Sequence, residues 1–114
     1  MPLFRRQRSR AGAQPRAANS DDTRHLQEFA DSRLGIEAYL EPRTAVTETT
    51  LVLVADTGEW TRRRVDGAPA ARRFAEKNGI PLYEAGIVGY PRRMRDWTEK
   101  RKRDGEIGPP RPSA

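Results

Sequence analysis

Two short runs carry residue types able to act on another molecule. Trp60-Thr61-Arg62-Arg63-Arg64 sets three successive guanidinium groups beside an indole, and Tyr90-Pro91-Arg92-Arg93-Met94-Arg95 repeats the combination with a phenol. Guanidinium groups bind phosphate oxygens, and flat aromatic rings stack bases, so both runs suit a polyanion such as nucleic acid. The candidate phosphate contacts are Arg62, Arg63, Arg64, Arg92, Arg93 and Arg95; Trp60 or Tyr90 is the candidate stacking residue. Each run also has a plainer reading. Trp60 can pack in the core while the arginines block edge-to-edge strand pairing. Met94 and Trp97 can tether a helix that is otherwise merely solvated.

No other cluster offers a reaction centre. His25 is the sole histidine and has no second ligand or nucleophile to serve, so it reads as a polar helix residue. Glu37, Glu41, Glu48 and Glu59 can gather near one sheet edge. Paired carboxylates do acid–base work only where a pocket separates their pKa values, so a solvated acidic edge is expected. Gly58, Gly67 and Gly79 are spaced as turn residues, with no Gly-Lys-Ser/Thr after them. Neither a dinucleotide fingerprint nor a serine elbow is present. The absence of cysteine excludes a disulfide framework and a thiolate metal site. The expectation is a non-enzymatic protein with no catalytic residue, no cofactor and no metal.

The first cationic run must be positioned by a hairpin over residues 47–65. Leu51 to Ala55 is an apolar run too short for a convincing helix and rich in strand-forming types. Asp56-Thr57-Gly58 suits a type I turn closed by a glycine bulge. With Ala55 facing Glu59, Val54 lies opposite Trp60, Val52 opposite Arg62 and Thr50 opposite Arg64. Leu53 then pairs with Thr61, Leu51 with Arg63 and Thr49 with Val65. A one-residue slip would exchange the faces, which leaves open which face is buried.

The second run belongs to a basic helix from Pro91 to Arg103, with Met94, Trp97 and Arg101 on one face. Upstream, Ser20 or Asp21 can cap a helix starting near Asp22, whose core face holds Leu26, Phe29, Ala30 and Leu34, with Gly35 as a left-handed cap. Ile36 to Glu41 is an expected outer strand ended by Pro42. After Asp66-Gly67, Pro69 opens a second helix with the apolar stripe Ala70, Ala71, Phe74 and Ala75, closed by Asn78-Gly79. Ile80 to Tyr83, continued by Ile87-Val88, is expected as a further strand. The helix before it allows parallel addition to its neighbour.

Hydrophobic residues are 35% and charged residues 33%, which confines a small core to the middle of the chain. Residues 1–16 carry a charge of +5, residues 17–90 carry −3 and residues 91–114 carry +4. The positive character therefore sits at the two ends, where it attracts polyanions without choosing among them. No run approaches the roughly 20 apolar residues of a membrane span. The N-terminus lacks the apolar stretch of a secretory signal, so a cytoplasmic protein is expected.

The order helix, three strands, helix from Asp22 to Asn78 is similar to the topology of double-stranded-RNA-binding domains. Those domains place a lysine-rich cluster at the start of the second helix; here that place holds Gly67-Ala68-Pro69-Ala70, with Arg72 and Arg73 a turn later. The wording Gly-Glu-Trp-Thr-Arg-Arg-Arg-Val at 58–65 and Val-Gly-Tyr-Pro-Arg-Arg-Met-Arg-Asp-Trp at 88–97 resembles a small actinobacterial domain family of uncharacterised function. That resemblance implies no activity.

The expected architecture is a single α+β domain over 21–103: helix, three-stranded antiparallel meander, helix, additional strand and basic C-terminal helix. A disordered basic tail over 1–20 and a disordered proline-rich tail over 104–114 flank it. The expected partner is RNA, DNA or a ribonucleoprotein. The alternative is another protein, docked on the open sheet edge or on the Met94/Trp97 helix.

Overall fold

A computed structural model describes residues 20–105. The tails expected at 1–20 and 104–114 lie outside the described residues, apart from Ser20, Asp104 and Gly105. In chain order the elements are α1 (Ser20–Ser32), β1 (Glu37–Glu41), β2 (Thr50–Val54), β3 (Trp60–Arg64), α2 (Gly67–Asn78), β4 (Leu82–Glu84), α3 (Ala85–Val88) and α4 (Arg92–Arg103). The described residues form an α+β fold, with four helices and one mixed four-stranded sheet in the order β3-β2-β1-β4.

The apolar run of β2 explains the architecture. Leu51, Val52, Leu53 and Val54 are all fully buried, although strand side chains alternate between faces, so both faces of the sheet must be covered. On one face Ala38, Leu40, Leu51 and Leu53 pack against Leu26 and Phe29 of α1 and Ala71 of α2. On the other, Tyr39, Val52 and Val54 meet Trp60, Ala85 and Met94. Burying one large apolar side chain contributes about 1.5–3 kcal/mol. The first face, with two leucines of β2 beneath Leu26 and Phe29, therefore carries most of the stability. The second face is thinner, and its cover depends more on polar contacts.

The β2–β3 register runs from Thr50 opposite Arg64 to Val54 opposite Trp60, as the turn chemistry predicts. The Ala55 amide donates to the Glu59 carbonyl at 2.8 Å, the Gly58 amide donates to the Ala55 carbonyl at 2.9 Å, and Gly58 takes φ 95°. The buried face that the register alone leaves open is settled by the second layer: both are buried.

Three expectations are corrected. Ile36 to Glu41 is not an outer strand, because β4 adds to its free edge in parallel, pairing Ala38 with Leu82 and Leu40 with Glu84. Ile87-Val88 does not continue β4. It lies in the single turn α3, closed by the Gly89 amide on the Ala85 carbonyl at 2.9 Å, which reverses the chain toward α4. Leu34 is 77% exposed rather than on the core face, since α1 ends at Ser32, where the Ser32 hydroxyl donates back to the Glu28 carbonyl at 2.7 Å.

Candidate nucleic-acid interface

In α4 the half-buried positions are Arg93, Met94, Trp97, Thr98 and Arg101, and every other position is exposed. That spacing is one stripe of an α-helix, so α4 has an inner and an outer side. The inner side is fixed to the sheet by three kinds of contact. Met94 packs on the cluster of Tyr39, Val52 and Val54. The Trp60 indole N–H donates to the Thr98 hydroxyl at 3.0 Å, and that hydroxyl donates to the Met94 carbonyl at 3.1 Å. Arg93 donates from Nε to the Ala55 carbonyl at 2.8 Å and from Nη2 to Glu37 Oε1 at 3.0 Å. Arg101 lies over the Trp97 ring, with Cζ 4.9 Å from the centroid.

The strand arginines are each paired with a carboxylate of the same chain. Arg62 makes a bidentate pair with Glu41 at 2.8 and 2.9 Å, and its guanidinium also lies 5.2 Å from the Trp60 ring centroid. Arg63 and Arg64 both approach the buried Asp22 of α1, at 3.3 and 3.8 Å. A buried carboxylate is costly unless compensated, and these two cations contribute to the compensation. Next to them, His25 is also buried, with Nε2 2.7 Å from the Thr61 hydroxyl. Burial, and then the nearby Arg63, hold the imidazole below its ordinary pKa.

Glu41 is the hub of the uncovered end of the second sheet face. Besides Arg62, it accepts from the Thr50 hydroxyl at 2.5 Å and from the Tyr90 hydroxyl. Burial pushes its carboxyl up, but these hydrogen bonds together outweigh burial and hold it below the usual carboxylate range. Burial, and then the bond to Glu41, push the Tyr90 phenol up. A groove of about 690 Å³ opens here, lined by Thr47, Thr50, Arg62, Arg64 and Tyr90 around Glu41.

A second groove, of about 220 Å³, lies between β1, β4 and the turn before α4. Tyr39, Tyr83 and Tyr90 line it. The Tyr39 ring stacks on Tyr83 at 5.4 Å and meets Tyr90 at 5.9 Å with a 55° tilt. Glu37 lies at its edge, with Oε1 accepting from the Tyr39 hydroxyl at 2.7 Å. That bond first, and then Arg93, lower the Glu37 pKa against the opposing effect of burial.

The candidate residues thus separate. Trp60 and Arg93 hold α4 and the sheet together, Arg62 ties β3 to Glu41 of β1, Arg63 and Arg64 pair with Asp22, and Tyr90 links Glu41 to the turn. Arg92 and Arg95 are exposed on the outer side of α4 together with Lys102 and Arg103, and among the described residues these four make no ion pair. Lys100 is paired with Asp104 at 2.8 Å. Asp22, Glu41, Tyr83 and Thr98 are partners that residue spacing does not reveal, because each meets its counterpart across a large sequence separation. Among the described residues no carboxylate–histidine group able to hold a metal is present, and no helix is long and apolar enough to cross a membrane. The chain matches no protein-family model, no curated protein and no solved structure.

Proposed function

We propose that this chain is a small non-enzymatic module that contacts nucleic acid, free or within a ribonucleoprotein, through the outer side of α4. Arg92, Arg95, Lys102 and Arg103 contact phosphates. Arg62, Arg63, Arg64 and Arg93 act as internal supports. The observation that carries this reading is four exposed cations that make no ion pair among the described residues, on a helix whose opposite side is held to the sheet. Over 92–103 the sequence has seven basic and two acidic residues, so α4 is positive while residues 17–90 are net negative. A polyanion is steered to the helix and away from the rest of the body.

The test is fluorescence anisotropy with mixed-sequence oligonucleotides across a salt series. With about four phosphates neutralised, log affinity should fall with log salt at a slope near −3 on single strands, about 50-fold between 50 and 200 mM. A flat salt dependence, or no binding at the lowest salt, refutes the reading. The protein-docking alternative is favoured by one feature, the exposed Ile87 and Val88 beside the open edge of β4. The Met94 side of α4 is already occupied by the chain's own sheet.

A further inference from the structure

The tyrosine groove stands directly before the cationic helix, with Tyr90 two residues from Arg92. We propose that it takes one unpaired nucleobase of a single strand whose phosphates follow α4, and that Glu37 selects a base bearing an amino group. The proposal rests on the nucleic-acid reading of α4 and narrows it to single-stranded ligands.

Three observations carry it. First, the groove is aromatic and sized for one planar heterocycle: Tyr83 and Tyr90 are 38% and 40% exposed, while Tyr39 beneath them is buried. Exposed rings of this kind stack bases that are not already stacked in a duplex. Second, the groove supplies an acceptor. The Tyr39 hydroxyl and the Arg93 guanidinium both donate to Glu37 Oε1, which leaves Oε2 available among the described residues. A carboxylate oxygen accepts from the amino group of cytosine and repels the carbonyl that uracil presents at the same place. Third, the charge is arranged for a strand rather than a free base. Arg93 compensates Glu37 at 3.0 Å, and Arg92 and Arg95 lie outward on the adjoining helix. Exposed Val88 and the Pro91 ring complete an apolar rim against which a sugar can lie.

The test uses the full chain and three fluorescein-labelled 12-mers: oligocytidine, oligouridine and a mixed-sequence duplex. The expected result is tighter binding of oligocytidine than of oligouridine by about tenfold, with the duplex weaker than either. Tyr83→Leu, which keeps apolar bulk but no ring, should lower single-strand affinity by about 5- to 100-fold and leave the duplex unchanged. Tyr83→Phe should restore it, which separates stacking from a folding defect. Glu37→Gln should erase or reverse the cytosine preference, with circular dichroism confirming that the fold persists. Equal binding of single strand and duplex, unaffected by Tyr83→Leu, overturns the base site and leaves phosphate contact by α4 standing. Equal binding of the two single strands overturns the assignment to Glu37. No binding of any probe at 50 mM salt overturns the underlying reading itself.

Discussion

Gly58 lies so close beneath the Arg93 carbonyl that a Cβ built on it would stand 2.1 Å from that oxygen. The same glycine takes φ 95° as the bulge of the β2–β3 hairpin. One residue therefore serves both the turn that sets the strand register and the surface on which α4 rests. Gly58→Ala should fail on both counts. The left-handed backbone alone costs about 1–3 kcal/mol for a side-chain-bearing residue, and the clash is with backbone, which cannot rotate away. The expected outcome is a much lower melting temperature with α4 released, read as a change in Trp60 and Trp97 fluorescence.

Arg93 and Arg92 are neighbours in sequence with opposite assignments. Arg93 is half-buried and bonded to Ala55 and Glu37, so Arg93→Gln should lower stability by about 1–2 kcal/mol and loosen α4. Arg92 is exposed and makes no ion pair among the described residues, so Arg92→Gln should leave the urea midpoint unchanged and weaken nucleic-acid binding. Equal effects of the two substitutions on stability would contradict the two-sided description of α4.

Acid should destabilise the protein in two stages. His25 has a lowered pKa in the fold, so the unfolded chain binds the extra proton first, and stability is lost as pH falls below the ordinary value of 6.5. Glu37 and Glu41 are lowered as well, so their contribution is complete above 4.5 and disappears as pH falls further. Urea unfolding at a series of pH values should show both stages. His25→Gln should remove the upper one while keeping a hydrogen bond within reach of Thr61, and persistence of that stage in the variant would assign it elsewhere.

The hairpin register was legible because it depends on a three-residue turn and the alternation of adjacent strands, both local. The place of β1 was not, since its outer edge is covered by β4 some forty positions later in the chain, and nothing near Glu37–Glu41 signals that partner. The cationic runs were legible as charge but not as free charge. Asp22 is separated from Arg63 by 41 positions and Glu41 from Arg62 by 21, and these pairings follow only once α1 and β1 are placed against β3. Tyr90 stands out in sequence beside its arginines. Tyr83 does not, because its stacking partner Tyr39 arrives from another strand through the parallel β1–β4 pairing.

The sharpest comparison sets the outer side of α4 against β3. Replacing Arg92, Arg95, Lys102 and Arg103 together with Gln removes four exposed positive charges that make no ion pair among the described residues, so folding should be nearly unchanged. The salt slope for oligonucleotide binding should shrink by about 0.7 per lost contact, approaching the residual contribution of residues outside α4. Replacing Arg62, Arg63 and Arg64 with Gln removes three positive charges, and with them the Arg62 pair of Glu41 and two guanidinium contacts of the buried Asp22. That triple variant should lose several kcal/mol of stability, while at a temperature where it remains folded its salt slope should stay near the original. If the strand variant instead remains stable and loses the salt dependence, the phosphate contacts belong to β3, and α4 is a support.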